Sequence, residues 1–303
     1  MWFDLIRWLV ALELAGLAAL PLAYRLFPAL PGIAPGIAKA LALILIGYVA
    51  WITGMIGATA FTGPTIVVIC AILAAASWLP WGRVAQRAWR ANRATAIGAE
   101  VAFLLVFAVA TWVRAHNAAI AGTEKPMDMT FLTSLIEANR LPAQDLWLAQ
   151  FGLPYYYLGY LIYALPAKAV GLQPAVAYNL AVVTVIALSA TAAFGLAAAL
   201  VQRAGAGQRL ALGLGAVGAF ALAVMGDLEA FFEWLAGSNV GDAGFWAAMG
   251  IKNVTASAAG FPPADGGWWF KAARVIPNLQ PDGITEFPNF SFLLGDLHPH
   301  YMA

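Results

Sequence analysis

Charge is scarce along this chain, yet three ionisable groups crowd into Thr123-Glu124-Lys125-Pro126-Met127-Asp128, directly after a long apolar run. Glu124 and Asp128 stand one helical turn apart. A helix that starts early enough projects both to one side, as a carboxylate pair suited to proton transfer or metal work. Acids near a helix N-terminus also favour the dipole and cap free amides, so helix-start chemistry is the competing explanation. A second polar cluster runs from Glu286 to His300 and holds two of the three histidines, His298 and His300, flanking Pro299 and following Asp296. In an extended segment Asp296, His298 and His300 project to one side, an arrangement suited to a metal or a phosphate. A hydrogen-bonded turn at a helix end is the alternative there. The two clusters make one site only if the second folds back onto the first.

Other residue types add to these. Arg274 and Lys271 are cations in the region before the second cluster, and arginine is suited to bidentate contact with phosphate. Trp268, Trp269 and Phe270 read first as interfacial anchors and second as a sugar-stacking or lipid-facing platform. His116 reads as an interface residue. The run Tyr155-Tyr156-Tyr157 follows within a loop's reach of Asp145.

Composition sets where such a site must lie. Of 303 residues, 62% are hydrophobic and 10% charged, with a mean hydropathy of +0.79, whereas about a quarter of residues are charged in ordinary soluble domains. The chain reads as an all-α, polytopic integral membrane protein, because lipid permits only helices or closed barrels and the apolar runs are long rather than alternating. A net charge of +1 without a basic, aromatic-interleaved stripe excludes nucleic acid as a partner. Cys70 is the single cysteine, so there is no disulfide framework or thiolate metal site. Asp4 precedes Arg7 and the first apolar run is long, so the N-terminus is expected to remain as a helix rather than be cleaved. The C-terminus stops just beyond His298-Pro299-His300, which suggests a fragment of a longer chain.

Apolar spans are expected at Phe3 to Leu26, Ile37 to Gly57, Phe61 to Trp78, Ala94 to Val113, Pro174 to Val201 and Leu210 to Met225. Trp81 to Arg93 carries Arg83, Arg87, Arg90 and Arg93 without an acid and is expected to be a cytoplasmic loop under the positive-inside rule. Arg25 and Lys39, placed in the first loop, fall on the same side. The fourth span then delivers Glu124 and Asp128 to the external face. Met127, Phe131, Leu135 and Ile136 give Pro126 to Asn139 a helical apolar face with Asp128 off it, capped by Thr123 or Gly122. Tyrosines favour membrane interfaces, so Pro154 to Val170 is expected to lie along the surface rather than cross. Gly213 to Gly218 matches GxGxxG but sits in an apolar helix, where it serves as a small-residue packing face. The resulting organisation is leading helices over 1–80 and a main membrane domain over 94–303, with external loops at 115–173 and 227–290.

Together, Glu124-Lys125-Pro126-Met127-Asp128, Tyr155-Tyr156-Tyr157-Leu158-Gly159-Tyr160, Thr285-Glu286-Phe287-Pro288 and Gly295-Asp296-Leu297-His298-Pro299-His300 resemble the DUF2298 membrane family. That family is similar to the GT-C superfamily of integral-membrane glycosyltransferases. The resemblance implies a GT-C-like helix bundle with juxtamembrane helices in the external loops. It implies transfer of a sugar from a polyprenyl-phosphate-linked donor, held with its lipid tail in the cell membrane, to an unknown acceptor at the external face. Asp128 would be the general base, assisted by Glu124. Lys125, Arg274, His298 and His300 would hold the phosphate, the tyrosines and Glu286 would contact substrate, and Asp296 or Glu286 would position Mg or Mn. The alternatives are a non-catalytic scaffold and a transporter. A transporter should place ionisable residues within its spans, where only Glu13 and Glu100 qualify, and should show repeat symmetry.

Overall fold

The computed structural model describes residues 2–226, 228–251, 254, 260–261, 272–274 and 283–302. The helices, in chain order, are α1 (Trp2–Leu26), α2 (Ala34–Met55), α3 (Gly63–Ala91), α4 (Arg93–His116), α5 (Lys125–Glu137), α6 (Leu158–Val170), α7 (Pro174–Arg203), α8 (Gln208–Ala223), α9 (Glu229–Gly237), α10 (Ala243–Met249), α11 (Pro288–Leu294) and α12 (Pro299–Met302). Among the described residues there is no strand. The chain forms two compact units, one made of the residues up to Ala219 together with those from Asp296 onward, the other Phe220–Gly295.

Five helices of the first unit, α1, α2, α3, α4 and α7, are long and apolar enough to cross a membrane. At about 1.5 Å per residue they exceed the roughly 30 Å of bilayer hydrocarbon. Small residues bring them together. A Cβ at Gly36 of α2 would stand 2.7 Å from the Thr191 carbonyl of α7, and Gly195 lies against Gly36 at the same crossing. α1 is tied to α7 by a buried hydrogen bond from Trp8 Nε1 to Thr184 Oγ1, 2.9 Å.

The connection between α4 and α7 decides the topology. Arg114, in the last turn of α4, donates through Nε to Asn179 Oδ1 near the start of α7, at 2.6 Å. At the opposite end Gln202 of α7 reaches Thr95 of α4, at 2.7 Å. The two helices are therefore antiparallel, and everything between them leaves and returns on one face. α6 lies within that connection and has 13 residues, about 20 Å of helix, too short to span. It lies against the site-side ends of its neighbours, with Arg7 of α1 donating to the Val170 carbonyl (2.9 Å) and Trp51 of α2 donating to Tyr157 (2.9 Å).

Several expectations are corrected. Helix α3 runs to Ala91, so Arg83, Arg87 and Arg90 ride on its extension rather than in a loop. From Ala85 to Ala91 the extension holds only alanine, glutamine, arginine and tryptophan, all compatible with helix, and the 29 residues of α3 overrun the hydrocarbon. Lys39 is not a loop cation. Pro35 at the first turn starts α2 early, so Lys39 lies more than a turn inside the helix and is buried, paired with Glu13 of α1 (3.1 Å) and Glu100 of α4 (2.6 Å). Helix α8 has 16 residues, about 24 Å, and falls short of the lengths that cross. Its glycines do pack: Gly215 meets Phe194, and Gly218 meets Ala193 and Ala197 of α7.

In the second unit, Ala236 of α9, Trp246 of α10 and Val254 form a small core with Phe232, Leu235 and Ile251. Asp242 caps α10 by accepting from the Phe245 amide at 2.8 Å.

Candidate functional site

The site is built from α5, the turn that precedes it, the tyrosine run and the segment from Asp296 onward. All of these belong to the first unit. Helix α5 buries Lys125, Asp128, Phe131, Leu132, Ser134 and Leu135. Positions 128, 131, 132 and 135 repeat at three and four residues, so Asp128 belongs to the inward face and not to the polar one the sequence suggested. Phe131 is the larger anchor on that face, and its pairing with Tyr155 and Tyr160 fixes the rotation. Tyr155 stacks on it with centroids 5.0 Å apart, and Tyr160 meets it edge-on at 5.6 Å.

Asp128 has no exposed surface. Tyr160, the last tyrosine of the run and part of α6, donates to its Oδ1 at 2.5 Å, while Oδ2 is buried without a hydrogen-bond partner. Burial lifts the Asp128 carboxyl to about 6. The Tyr160 hydrogen bond and the neighbouring His298 pull it down, and the Asp296 and Glu124 charges push it up. Burial and the Asp128 carboxylate drive the Tyr160 phenol far above its ordinary range, so it stays a donor.

The turn ahead of α5 is strained and clasped. Gly122 (φ 78°) and Thr123 (φ 47°) are both left-handed, which is unusual for a β-branched residue and costs of order 1–3 kcal/mol. Thr123 is not a helix cap. Its hydroxyl donates to Asp296 Oδ1 at 2.7 Å, Lys125 Nζ reaches that same oxygen at 2.7 Å and Thr123 Oγ1 at 3.1 Å, and the Glu124 amide faces Asp296 Oδ2 at 3.4 Å. Lys125 and Asp296 are both buried, so the clasp is a desolvated pair, completed by hydrogen bonds as such pairs require.

The segment after Asp296 is held as firmly. The Leu297 amide donates to Tyr178 Oη at 3.1 Å and Tyr301 donates to the Val182 carbonyl at 2.8 Å, docking it on α7. Pro299 begins α12, so Asp296, His298 and His300 do not lie along an extended strand, and the rings of His298 and His300 meet through their Nδ1 atoms. His298 Nε2 lies 2.9 Å from Glu124 Oε2 and 3.1 Å from Tyr155 Oη. The two stretches, far apart in sequence, are thereby brought into one cluster of side chains.

The tyrosine triplet divides. Tyr155 lines the site, Tyr156 is 78% exposed, and Tyr157 turns away to Trp51. Asp145 is a turn-former whose Oδ1 accepts from the Trp147 and Leu148 amides. Arg274 and Glu286 lie in the second unit, where a bond from the Thr285 amide to the Ala273 carbonyl (2.7 Å) sets their segments side by side. Trp268, Trp269, Phe270 and Lys271 lie outside the described residues. Sequence reasoning missed the roles of Thr123, Phe131 and Tyr160. The 128/131 spacing was the available signal for Phe131, and the recurrence of tyrosine at 160 for the other aromatic.

Mg and Mn are hard cations that take oxygen ligands, commonly one or two carboxylates together with substrate phosphate and water. Among the described residues no three His, Cys, Asp or Glu side chains come together to hold a metal by themselves, and Asp296 turns its oxygens to Thr123, Lys125 and the Glu124 amide.

The five apolar helices long enough to cross a membrane define a polytopic membrane protein, with the polar cluster gathered at one end of them. Within that class, the family model described as "Uncharacterized membrane protein (DUF2298)" matches residues 45–303, and the chain belongs to that family. No curated protein and no solved structure matches the chain.

Proposed function

We propose that this protein is a membrane glycosyltransferase that moves a sugar from a polyprenyl-phosphate-type lipid donor to an acceptor hydroxyl at the membrane surface, with Asp128 as general base. The observation that carries this reading is the Asp128 carboxylate. One oxygen is oriented by Tyr160, the other is buried without a partner, and the group titrates at about 6. A general base works best with its pKa near the operating pH, and an unpartnered buried acceptor is costly unless it has a task.

In the reaction, Asp128 Oδ2 takes the proton of the acceptor hydroxyl. The hydroxyl oxygen bonds to the anomeric carbon as the bond from that carbon to the phosphate oxygen breaks, with inversion. The departing phosphate takes the negative charge, and His298, beside Glu124 and Tyr155, is the candidate to receive it. Lys125 joins it by exchanging Asp296 for phosphate. Because Asp128 has no exposed surface, substrate entry requires neighbouring side chains to part. No step is routed through a metal.

Two other readings rest on specific observations. Asp296, Lys125 and Thr123 satisfy one another, as a non-catalytic scaffold would have it. Lys39 with Glu13 and Glu100 supplies the charge within spans that a transporter would need. Membranes bearing wild type or Asp128→Asn, supplied with a panel of polyprenyl-phosphate-linked radiolabelled sugars, separate these. Loss of about 10²–10⁴-fold in transfer is expected for removal of a general base. Equal transfer by both proteins would remove the mechanism, and substrate flux in proteoliposomes without transfer would favour transport.

A further inference from the structure

Between α5 and the tyrosine run the chain makes a loop that the pocket does not use. It is a built structure: the Asp145 amide donates to the Phe151 carbonyl (2.8 Å), the Leu153 amide to the Ala143 carbonyl (3.0 Å), and Ser134 bonds to the Gln144 carbonyl. Asp145 Oδ1 gathers the Trp147 and Leu148 amides into a tight turn at the tip. This framework displays apolar side chains outward, with Leu146 49%, Trp147 65%, Leu148 55% and Phe151 60% exposed. From Leu146 to Tyr157 there is no acid, lysine, arginine or histidine. An exposed apolar cluster on a rigid frame marks a contact surface.

What it contacts follows from where the loop is rooted. The Phe61 amide donates to the Asn139 carbonyl at 2.9 Å, and Leu141 fills the space beside Gly54. The root therefore sits at the turn between α2 and α3, where two crossing helices leave the bilayer and where Ile52, Met55 and Ile56 are themselves exposed. A tryptophan flanked by leucine and phenylalanine at that level, without charge, has the composition of an interfacial insertion. We propose that the tip Leu146–Phe151 inserts into the headgroup and upper acyl layer of the membrane on the side of the Asp128 pocket, and so fixes the height of α5 and Tyr155 above the lipid. This does not depend on the chemistry assigned to the pocket.

The test uses the full chain with Cys70→Ser, then Trp147→Cys labelled with the environment-sensitive fluorophore NBD. The protein is reconstituted in phosphatidylcholine and phosphatidylglycerol vesicles. Expected are a blue-shifted emission, quenching by lipids carrying a doxyl group near the headgroup more than by lipids carrying it deep in the chain, and shielding from iodide. Iodide quenching as strong as that of free NBD-cysteine would overturn the proposal. Shielding from iodide and doxyl alike would overturn it too, since a protein surface or a second copy would then cover the loop. The same readings from Leu148→Cys keep the test decisive where loss of the indole itself releases the tip.

Discussion

Tyr160 and Asp128 share a 2.5 Å hydrogen bond that occupies one carboxylate oxygen and leaves the other buried and unpartnered. The asymmetry links the stability of the fold to the reactivity of the pocket, because a buried carboxyl group resists ionisation while a donor beside it favours ionisation.

Asp128 titrates at about 6 in the folded protein, above its ordinary 3.8. A carboxyl with a raised folded pKa contributes stability fully below pH 4, and that contribution is lost as pH rises through 6. The loss is about 3 kcal/mol. Asp128→Asn should therefore unfold at the same temperature as wild type near pH 4 and at a higher one at pH 8, measured as thermal midpoints in mild detergent. Activity should run the other way, with an acidic limb near pH 6. Tyr160→Phe, which removes the bond that lowers the pKa, should move that limb to higher pH. A limb unmoved in Tyr160→Phe would show that another group sets it.

Asp296 and Lys125 form a buried pair that also holds Thr123 in its strained conformation. Asp296→Leu leaves a buried ammonium without its counter-charge and should destabilise the first unit by roughly 3–5 kcal/mol, whereas Lys125→Met together with Asp296→Leu should recover most of that loss. A double-mutant cycle on thermal midpoints reads the coupling. Additive losses would mean that the two charges are held independently.

Lys39 joins three crossing helices through Glu13 and Glu100, and Gly16 makes room for it, since a Cβ there would stand 2.7 Å from Lys39 Cγ. Lys39→Met should cost roughly 3–5 kcal/mol, the range for a broken buried pair, because it leaves Glu13 and Glu100 without their counter-charge inside crossing helices. Adding Glu13→Gln and Glu100→Gln should restore stability. Gly16→Ala should destabilise without removing any charge, which separates packing from electrostatics in the same assay.

Local patterns reached some of this in advance. Apolar runs longer than a bilayer is thick identify the crossing helices from Trp2, Pro31, Gly63, Arg93 and Pro174 with no knowledge of their neighbours. Likewise, an acid-rich turn followed by periodic apolar residues marks α5. Periodicity failed where a single polar residue takes an inward position, as Asp128 does, because spacing shows which residues share a face but not what faces them.

By itself, then, the sequence determined that this is a helical membrane protein with polar residues gathered in two stretches far apart along it. Only the tertiary structure decided that Asp296 clasps Thr123 and Lys125, that His298 meets Glu124, that Tyr160 rather than Tyr157 serves Asp128, and that Lys39 is buried between two acids. The reason is physical. Helix formation depends on residues a few positions apart, whereas a buried charge or a strained turn is tolerated only because partners distant in the chain arrive to satisfy it, and their arrival is set by how the helices pack.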